Sequence, residues 1–374
     1  MRSVALDLGG KITFCEVASG EVVGRKTVKA FDHLEDVLGP RTPKARVAIE
    51  ACREVWHIAD RLEAWGHDVL IVDTTRVRQL GVGHHGRKTD RNDAEVLARA
   101  VEQGRIPLAH RLSPHRQALR MYLGVRRGLV ETRAGYVTMV RSVARSHGVK
   151  IPGCETEDFV GVVKATALGE EVRSIVEPLL TMLAVLEPQL RATDAKLARL
   201  CQEEPAVLRL GTTPGVSVVI AAQYVSVIDD PTRFRNAHQV ESYLGLVPSE
   251  HTSVHRKLGS ITKQGNSYLR ALLVQGAWCI LRSKAKDPLV LWAKAVQQRR
   301  GKRIAAVAVA RRLTGILWAV WRKGTVYDAE YLARVGQRGI EEQQQSLEQQ
   351  KAALARAERK ARHSLSWKGE LATT

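Results

Sequence analysis

Within its first ~105 residues the chain alternates short apolar runs with helical periodicity, and this restricts it to a mixed α/β sheet covered by helices. Val4–Leu8 is a short apolar strand, and Ile12–Val17 and Glu21–Val28 follow, separated by Ser19-Gly20. The Ser-Gly pair is a turn signal, so these segments read as a three-stranded antiparallel start. Ala45–Glu50 is a further apolar strand that ends in a carboxylate. Residues 53–65 carry Val55, Ile58, Ala59, Leu62 and Trp65 at helical spacing, closed by Gly66. Val69–Val72 reads as another strand and Asp90–Val101 as a helix.

From Ser113 the pattern changes. Leu119, Met121, Leu123 and Val125 open a helix that can run to His147, and Ile151-Pro152-Gly153 breaks it. A second long helix spans Glu170 to Cys201, with Leu179, Leu180, Leu183, Leu186, Leu190, Leu197 and Leu200. Two long helices joined by a loop read as a helical hairpin or coiled-coil arm, suited to dimerisation. Further helices are expected near Val218–Val227, Ala237–Leu244, Ser267–Arg282 and Lys302–Arg322, with a polar basic loop after Pro248. The end from Gly339 is rich in Gln, Glu, Lys and Arg and reads as an exposed helix or a disordered tail.

The 374 residues include 58 Lys+Arg against 39 Asp+Glu, a formal net charge of +19. That excess calls for a polyanionic partner, most simply nucleic acid. The opening Met-Arg-Ser-Val-Ala-Leu-Asp is too short an apolar run for a signal-peptide core. The longest apolar candidate for a membrane span, Ile304 to Trp321, is split by Arg311 and Arg312. Five scattered cysteines form no Cys-x-x-Cys, so neither a disulfide framework nor a zinc finger is indicated. A soluble, cytoplasmic protein is expected.

Four carboxylates carry the chemistry. Asp7 ends the first strand, and Glu50 ends the strand containing Val47-Ala48-Ile49. Asp90 and Asp93 lie three apart in Lys88-Thr89-Asp90-Arg91-Asn92-Asp93-Ala94, so on a helix they share a face. Each has a plainer reading alone: Asp7 as a strand-end turn residue, Asp90 as an N-cap with Asp93 in the first turn. An unpaired carboxylate behind an apolar strand is costlier to explain at Glu50. All four in this order match the way an RNase H-like fold gathers oxygen ligands around Mg²⁺. Two such ions can activate an attacking oxygen and stabilise the leaving oxygen of a phosphodiester. Asp7-Leu8-Gly9-Gly10 could also open an actin-like ATPase, but that fold needs a second Asp-x-Gly loop, which the sequence lacks.

The stretch Pro248 to Asn266 is rich in hydroxyls and cations. It reads as a solvated loop, or as a phosphate-binding loop in which a serine attacks while Arg256, Lys257, Lys263 or Arg270 stabilises the transition state. Thr213-Pro214-Gly215-Val216 reads equally as a helix-hairpin-helix loop or a simple helix start. The cluster Arg299-Arg300-Gly301-Lys302-Arg303 suits a nucleic-acid backbone, while Trp318 and Trp321 read as core.

With these pieces in view, the chain resembles the DEDD-type transposases of insertion-sequence family 110, which include site-specific DNA invertases of the Piv kind. The N-terminal pieces are Ala5-Leu6-Asp7, Ala48-Ile49-Glu50-Ala51 and Lys88 to Ala94. The C-terminal pieces are Thr213 to Val216, Tyr243-Leu244-Gly245-Leu246-Val247-Pro248-Ser249, Gly259 to Asn266, Tyr268-Leu269-Arg270 and Gly301-Lys302-Arg303. The resemblance implies an RNase H/RuvC-like α/β domain (1–110), an α-helical coiled-coil segment (111–204), a mainly α-helical transposase domain (205–335) and a polar tail (336–374). It implies Asp7, Glu50, Asp90 and Asp93 as ligands of Mg²⁺ or Mn²⁺, and Ser253 as a nucleophile that forms a phosphoserine link to DNA. Ser249, Thr252 and Ser260 are neighbouring hydroxyls. Donor and target DNA, a structured guide RNA from the element's non-coding end, and a homodimer pairing into a tetramer are the implied partners, in a prokaryotic, nucleoid-associated setting.

Overall fold

The structure is a computed structural model that describes residues 1–52, 54–74, 76–77, 90–252 and 256–330, with backbone alone at 90, 251–252 and 256–258. It divides into two compact units, Met1–Leu112 and a second beginning at Ser113.

The first unit is built on a five-stranded sheet in the order β3-β2-β1-β4-β5. Its strands are β1 (Arg2–Leu8), β2 (Ile12–Ala18), β3 (Glu21–Val28), β4 (Ala45–Glu50) and β5 (Asp68–Val72). The β1–β2 and β2–β3 pairs are antiparallel, as the Ser19-Gly20 turn predicts; β1–β4 and β4–β5 are parallel. Strand side chains alternate between faces, so each strand serves two cores. Val4, Leu6, Phe14, Val47 and Ile49 pack against Leu38 of α1 (Glu35–Leu38) and Val55, Ile58 and Leu62 of α2 (Val55–Ala64). Ala5, Cys15, Val17, Ala48 and Val72 face Ala94, Leu97, Ala98 and Val101 of α3 (Asp90–Glu102). Alanines on both sides of this second layer let the helix sit close to the sheet.

The second unit opens with two 33-residue helices, α4 (Pro114–Ser146) and α6 (Glu170–Gln202), each about 50 Å long. They pack along one another, with the short α5 (Phe159–Ala165) between them in the chain. Towards the hairpin tip, Val140, Ala144, Phe159, Val163, Val176 and Leu180 form a core of their own. At its base, Leu119, Leu123, Leu197 and Cys201 join the core of the later helices. Those are α7 (Pro205–Leu210), α8 (Val218–Ile228), α9 (Ala237–Tyr243), α10 (Ser267–Arg282), α11 (Pro288–Arg300) and α12 (Lys302–Lys323). Ser217, Asn236, Asn266 and Asp287 cap four of these helices, each side chain accepting from a first-turn backbone N–H.

Four helices went unread in the sequence: α1, α5 and α7 are short, and α11 hides its Leu289, Val290, Ala293 and Val296 face among basic residues. The expected polar loop after Pro248 contains an antiparallel hairpin, β6 (Pro248–Thr252) and β7 (Arg256–Ile261). Its strands, Pro-Ser-Glu-His-Thr and Arg-Lys-Leu-Gly-Ser-Ile, contain no apolar run that would mark a strand. By length and composition α12 could cross a membrane, but half of it is buried among the other helices as a core helix. The tryptophans behave as core: Trp318 Nε1 donates to Pro231 O at 3.0 Å, and Trp321 meets Tyr224 edge-on at 6.4 Å.

Candidate active site

Register brings Asp7 and Glu50 together. β1 and β4 run parallel with Leu6 opposite Ile49, so the next residues, Asp7 and Glu50, follow side by side at the strand ends. Period-two alternation puts Asp7 on the face of Ala5 and Glu50 on the face of Ala48, the face that α3 covers. Antiparallel pairing sets Thr13 beside Asp7 and Thr27 beside Thr13. Four strands therefore carry one row across the sheet: Thr27, Thr13, Asp7, Glu50.

α3 supplies the other two carboxylates. Its sheet-facing residues are Ala94, Leu97, Ala98 and Val101. Asp90 and Asp93 stand four residues before Ala94 and Leu97, on the same stripe. Asp93 is buried, with 6% of its surface exposed, and Asp90 is the first residue of the helix. Among the described residues, no group of three or more His, Cys, Asp or Glu side chains stands close enough to hold a metal ion. Asp7, Glu50 and Asp93 offer the oxygen-only donors a hard divalent cation takes, on one covered face, but these three side chains do not by themselves close around an ion. The Asp90 carboxylate that would join them lies outside the described side chains.

Ser253 lies outside the described residues, between β6 and β7 in the chain. Gly245 (φ +65°) and Gly265 (φ +71°) let the segment after α9 and the segment after β7 cross in backbone contact, with no room for a Cβ at either position. Arg270 Nη1 donates to the carbonyls of Leu244 at 3.2 Å, Gly265 at 3.1 Å and Gln264. This guanidinium, expected to meet a phosphate, is therefore committed at Nη1 to clamping the hairpin, and burial pulls its pKa down. That role leaves no trace in the sequence, because it depends on carbonyls brought from two separated segments.

The other basic positions differ in setting. Lys263 sits in the left-handed region at φ +57° and its N–H donates to Gly245 O at 3.1 Å. Arg256 and Lys257 belong to β7. Arg299, Arg300, Lys302 and Arg303 are exposed around Gly301, where α11 turns into α12, and form no ion pair among the described residues. Gly215 (φ +74°) packs its backbone against Gly276 of α10, which gives the Thr-Pro-Gly-Val loop a packing role.

In sequence the chain matches enzymes of the transposase class. A family model described as a transposase of the DEDD type matches residues 4–147, and one described as the transposase IS116/IS110/IS902 family matches residues 208–290. The chain belongs to the insertion-sequence 110 family of transposases, enzymes that cut and rejoin DNA. The DEDD domain implies a RuvC-like fold, in keeping with the mixed sheet. The chain is similar to a probable family 20 transposase of Pseudomonas aeruginosa, 29% identical over 76% of this chain and 86% of the relative. It is 25% identical to the transposase for insertion sequence element IS1111A of Coxiella burnetii, over 82% of this chain and 85% of the relative. A pilin gene-inverting protein of Moraxella lacunata is 30% identical over 32% of this chain and 38% of its own.

Proposed function

We propose that this transposase moves an insertion sequence by a two-part site, in which Asp7, Glu50, Asp90 and Asp93 hold Mg²⁺ or Mn²⁺ and Ser253 attacks the DNA. The observation that carries the reading is the side-by-side placement of Asp7 and Glu50 on the face covered by the Asp93 helix. Bound there, a divalent cation would neutralise phosphate charge and stabilise oxygens as they exchange at phosphorus. The carboxylates would fix that cation at one place on the sheet face, and the scissile phosphate would be positioned against it. The Ser253 hydroxyl loses its proton and forms a new P–O bond, while the bond from phosphorus to the departing deoxyribose oxygen breaks and that oxygen takes up a proton. The phosphoserine diester keeps the bond energy, so a hydroxyl of a second DNA end can reverse the step without ATP.

Guidance by a structured RNA from the element's own non-coding end belongs to the same proposal, supported by the +19 charge and by the exposed cations around Gly301. So does a dimer, built through coiled-coil contacts of α4 and α6 and pairing into a tetramer. The length of these helices and exposed Met139, Ile175, Met182 and Val185 along them support it. Similarity to the pilin gene-inverting protein favours site-specific inversion as a second reading of the same chemistry. A suicide DNA substrate tests the mechanism. Wild-type protein should remain covalently attached to DNA, and Ser253→Ala should not. Free cleaved ends without an adduct would make the enzyme a RuvC-like junction nuclease.

A further inference from the structure

The row that ends in Asp7 and Glu50 continues the other way into a cavity of about 310 Å³, lined by Thr13, Thr27, Arg25, Lys26, Cys15 and Arg91. Thr13 pairs with Asp7 across β1–β2 and Thr27 pairs with Thr13 across β2–β3. The cavity therefore begins one strand spacing from Asp7 and reaches a second, roughly 5–10 Å away. Among the described residues, no carboxylate lines it. Its cations are not equivalent. Lys26 is tied to Asp36 at 2.6 Å, and Arg25 is paired with Glu95 of α3. Arg91, in the first turn of α3, is exposed and forms no ion pair among the described residues. The row is thus acidic at one end and hydroxyl-lined and cationic at the other. Successive phosphates of one strand laid along it would meet those two environments in turn.

We propose that this cavity seats a non-scissile phosphodiester of the DNA strand being cut. Arg91 is its charged donor, Arg25 stands beside it, and the Thr13 and Thr27 hydroxyls are within the same lining. The proposal deepens the reading of Asp7 and Glu50 as the cutting site and rests on it. Arg91 is then a positioning residue: it sets which phosphate reaches the carboxylates.

The test uses the full-length protein, the transcript of the element's non-coding end, and a labelled duplex spanning the junction of the element end and its flank. Methylphosphonate replaces single phosphates around the cut, removing one charge at a time. In wild-type protein, one substituted position next to the cut should weaken binding and raise KM about tenfold or more. Arg91→Ala should cause a similar loss on the unmodified duplex, lower the salt slope of binding by about 0.7–0.9, and erase the penalty of that one methylphosphonate. Arg91→Lys should recover part of the loss. Unchanged thermal unfolding in Arg91→Ala would establish that the fold is intact. Equal methylphosphonate penalties in wild type and Arg91→Ala would overturn the proposal, as would a loss confined to binding of the transcript. Repeating the binding measurements in Glu50→Gln separates the two readings. Normal cleavage by that variant would sink the acidic site, while the Arg91 effect on DNA binding would still be judged by its own result.

Discussion

Gly265→Ala probes the anchoring of the β6–β7 hairpin. A Cβ at Gly265 would stand 2.1 Å from Tyr243 O, whereas ordinary van der Waals contacts lie at 3.4–4 Å. The carbonyl would have to retreat by roughly 1 Å or more, against a close-packed neighbour. The backbone there is left-handed at φ +71°, which costs a residue with a Cβ about 1–2 kcal/mol. Overpacking adds about 1–3 kcal/mol, for a total of about 2–5 kcal/mol against a typical domain stability of about 5–15 kcal/mol. Two glycines of the same unit separate the contributions. Gly324 has φ +67° with open space around it, so Gly324→Ala isolates the conformational cost. Gly153 has open space and no left-handed φ, so Gly153→Ala should be nearly neutral. Urea unfolding gives the three values, and hydrogen exchange at the amides of 249–252 and 256–261 shows whether the hairpin opens first. Gly265→Ala should be the least stable of the three and lose DNA strand transfer. A stability equal to that of Gly324→Ala would refute the backbone-contact account.

Further outcomes follow from other sites. Asp7→Asn and Glu50→Gln should each abolish recombination in a plasmid assay while leaving thermal unfolding unaltered. Arg133 meets Glu187 at 3.2 Å between α4 and α6, where Glu187 is only 9% exposed. Arg133→Ala should cost about 3–5 kcal/mol by stranding that carboxylate, and Arg133→Met with Glu187→Leu should recover most of it in chemical denaturation. Burial pushes the Glu204 carboxyl up, but the hydrogen bond and charge of Arg116 outweigh it and hold the group below the usual glutamate range. A lowered folded-state value stabilises the fold above the ordinary glutamate range and is lost as pH falls through the folded value. The stability gap between wild type and Arg116→Ala should therefore narrow as urea midpoints are followed from neutral pH to about pH 3.

Much of the first unit was readable from residues alone. Short apolar runs and the Ser19-Gly20 turn marked β1 to β5, and Asp90–Val101 read as the helix that became α3. All four acidic positions stood out as strand ends or a helix pair. Their relation was not readable, because Asp7 and Glu50 become neighbours only through parallel pairing of β1 with β4, which skips two intervening strands in the chain. The row through Thr13 and Thr27 needs the same register. The β6–β7 hairpin escaped detection because its sequence has no apolar run, and Arg270 looked like a free cation because its acceptors are carbonyls from 244 and 264–265.

Mn²⁺ binding to the full chain, followed by titration calorimetry, tests the acidic site without relying on catalysis. Wild-type protein should bind the ion, and Asp7→Asn and Glu50→Gln should each weaken binding at least tenfold. Asp68→Asn, on the exposed Arg46 pair of the same sheet, should leave it unaltered. Undiminished Mn²⁺ affinity in both Asp7→Asn and Glu50→Gln would contradict the account.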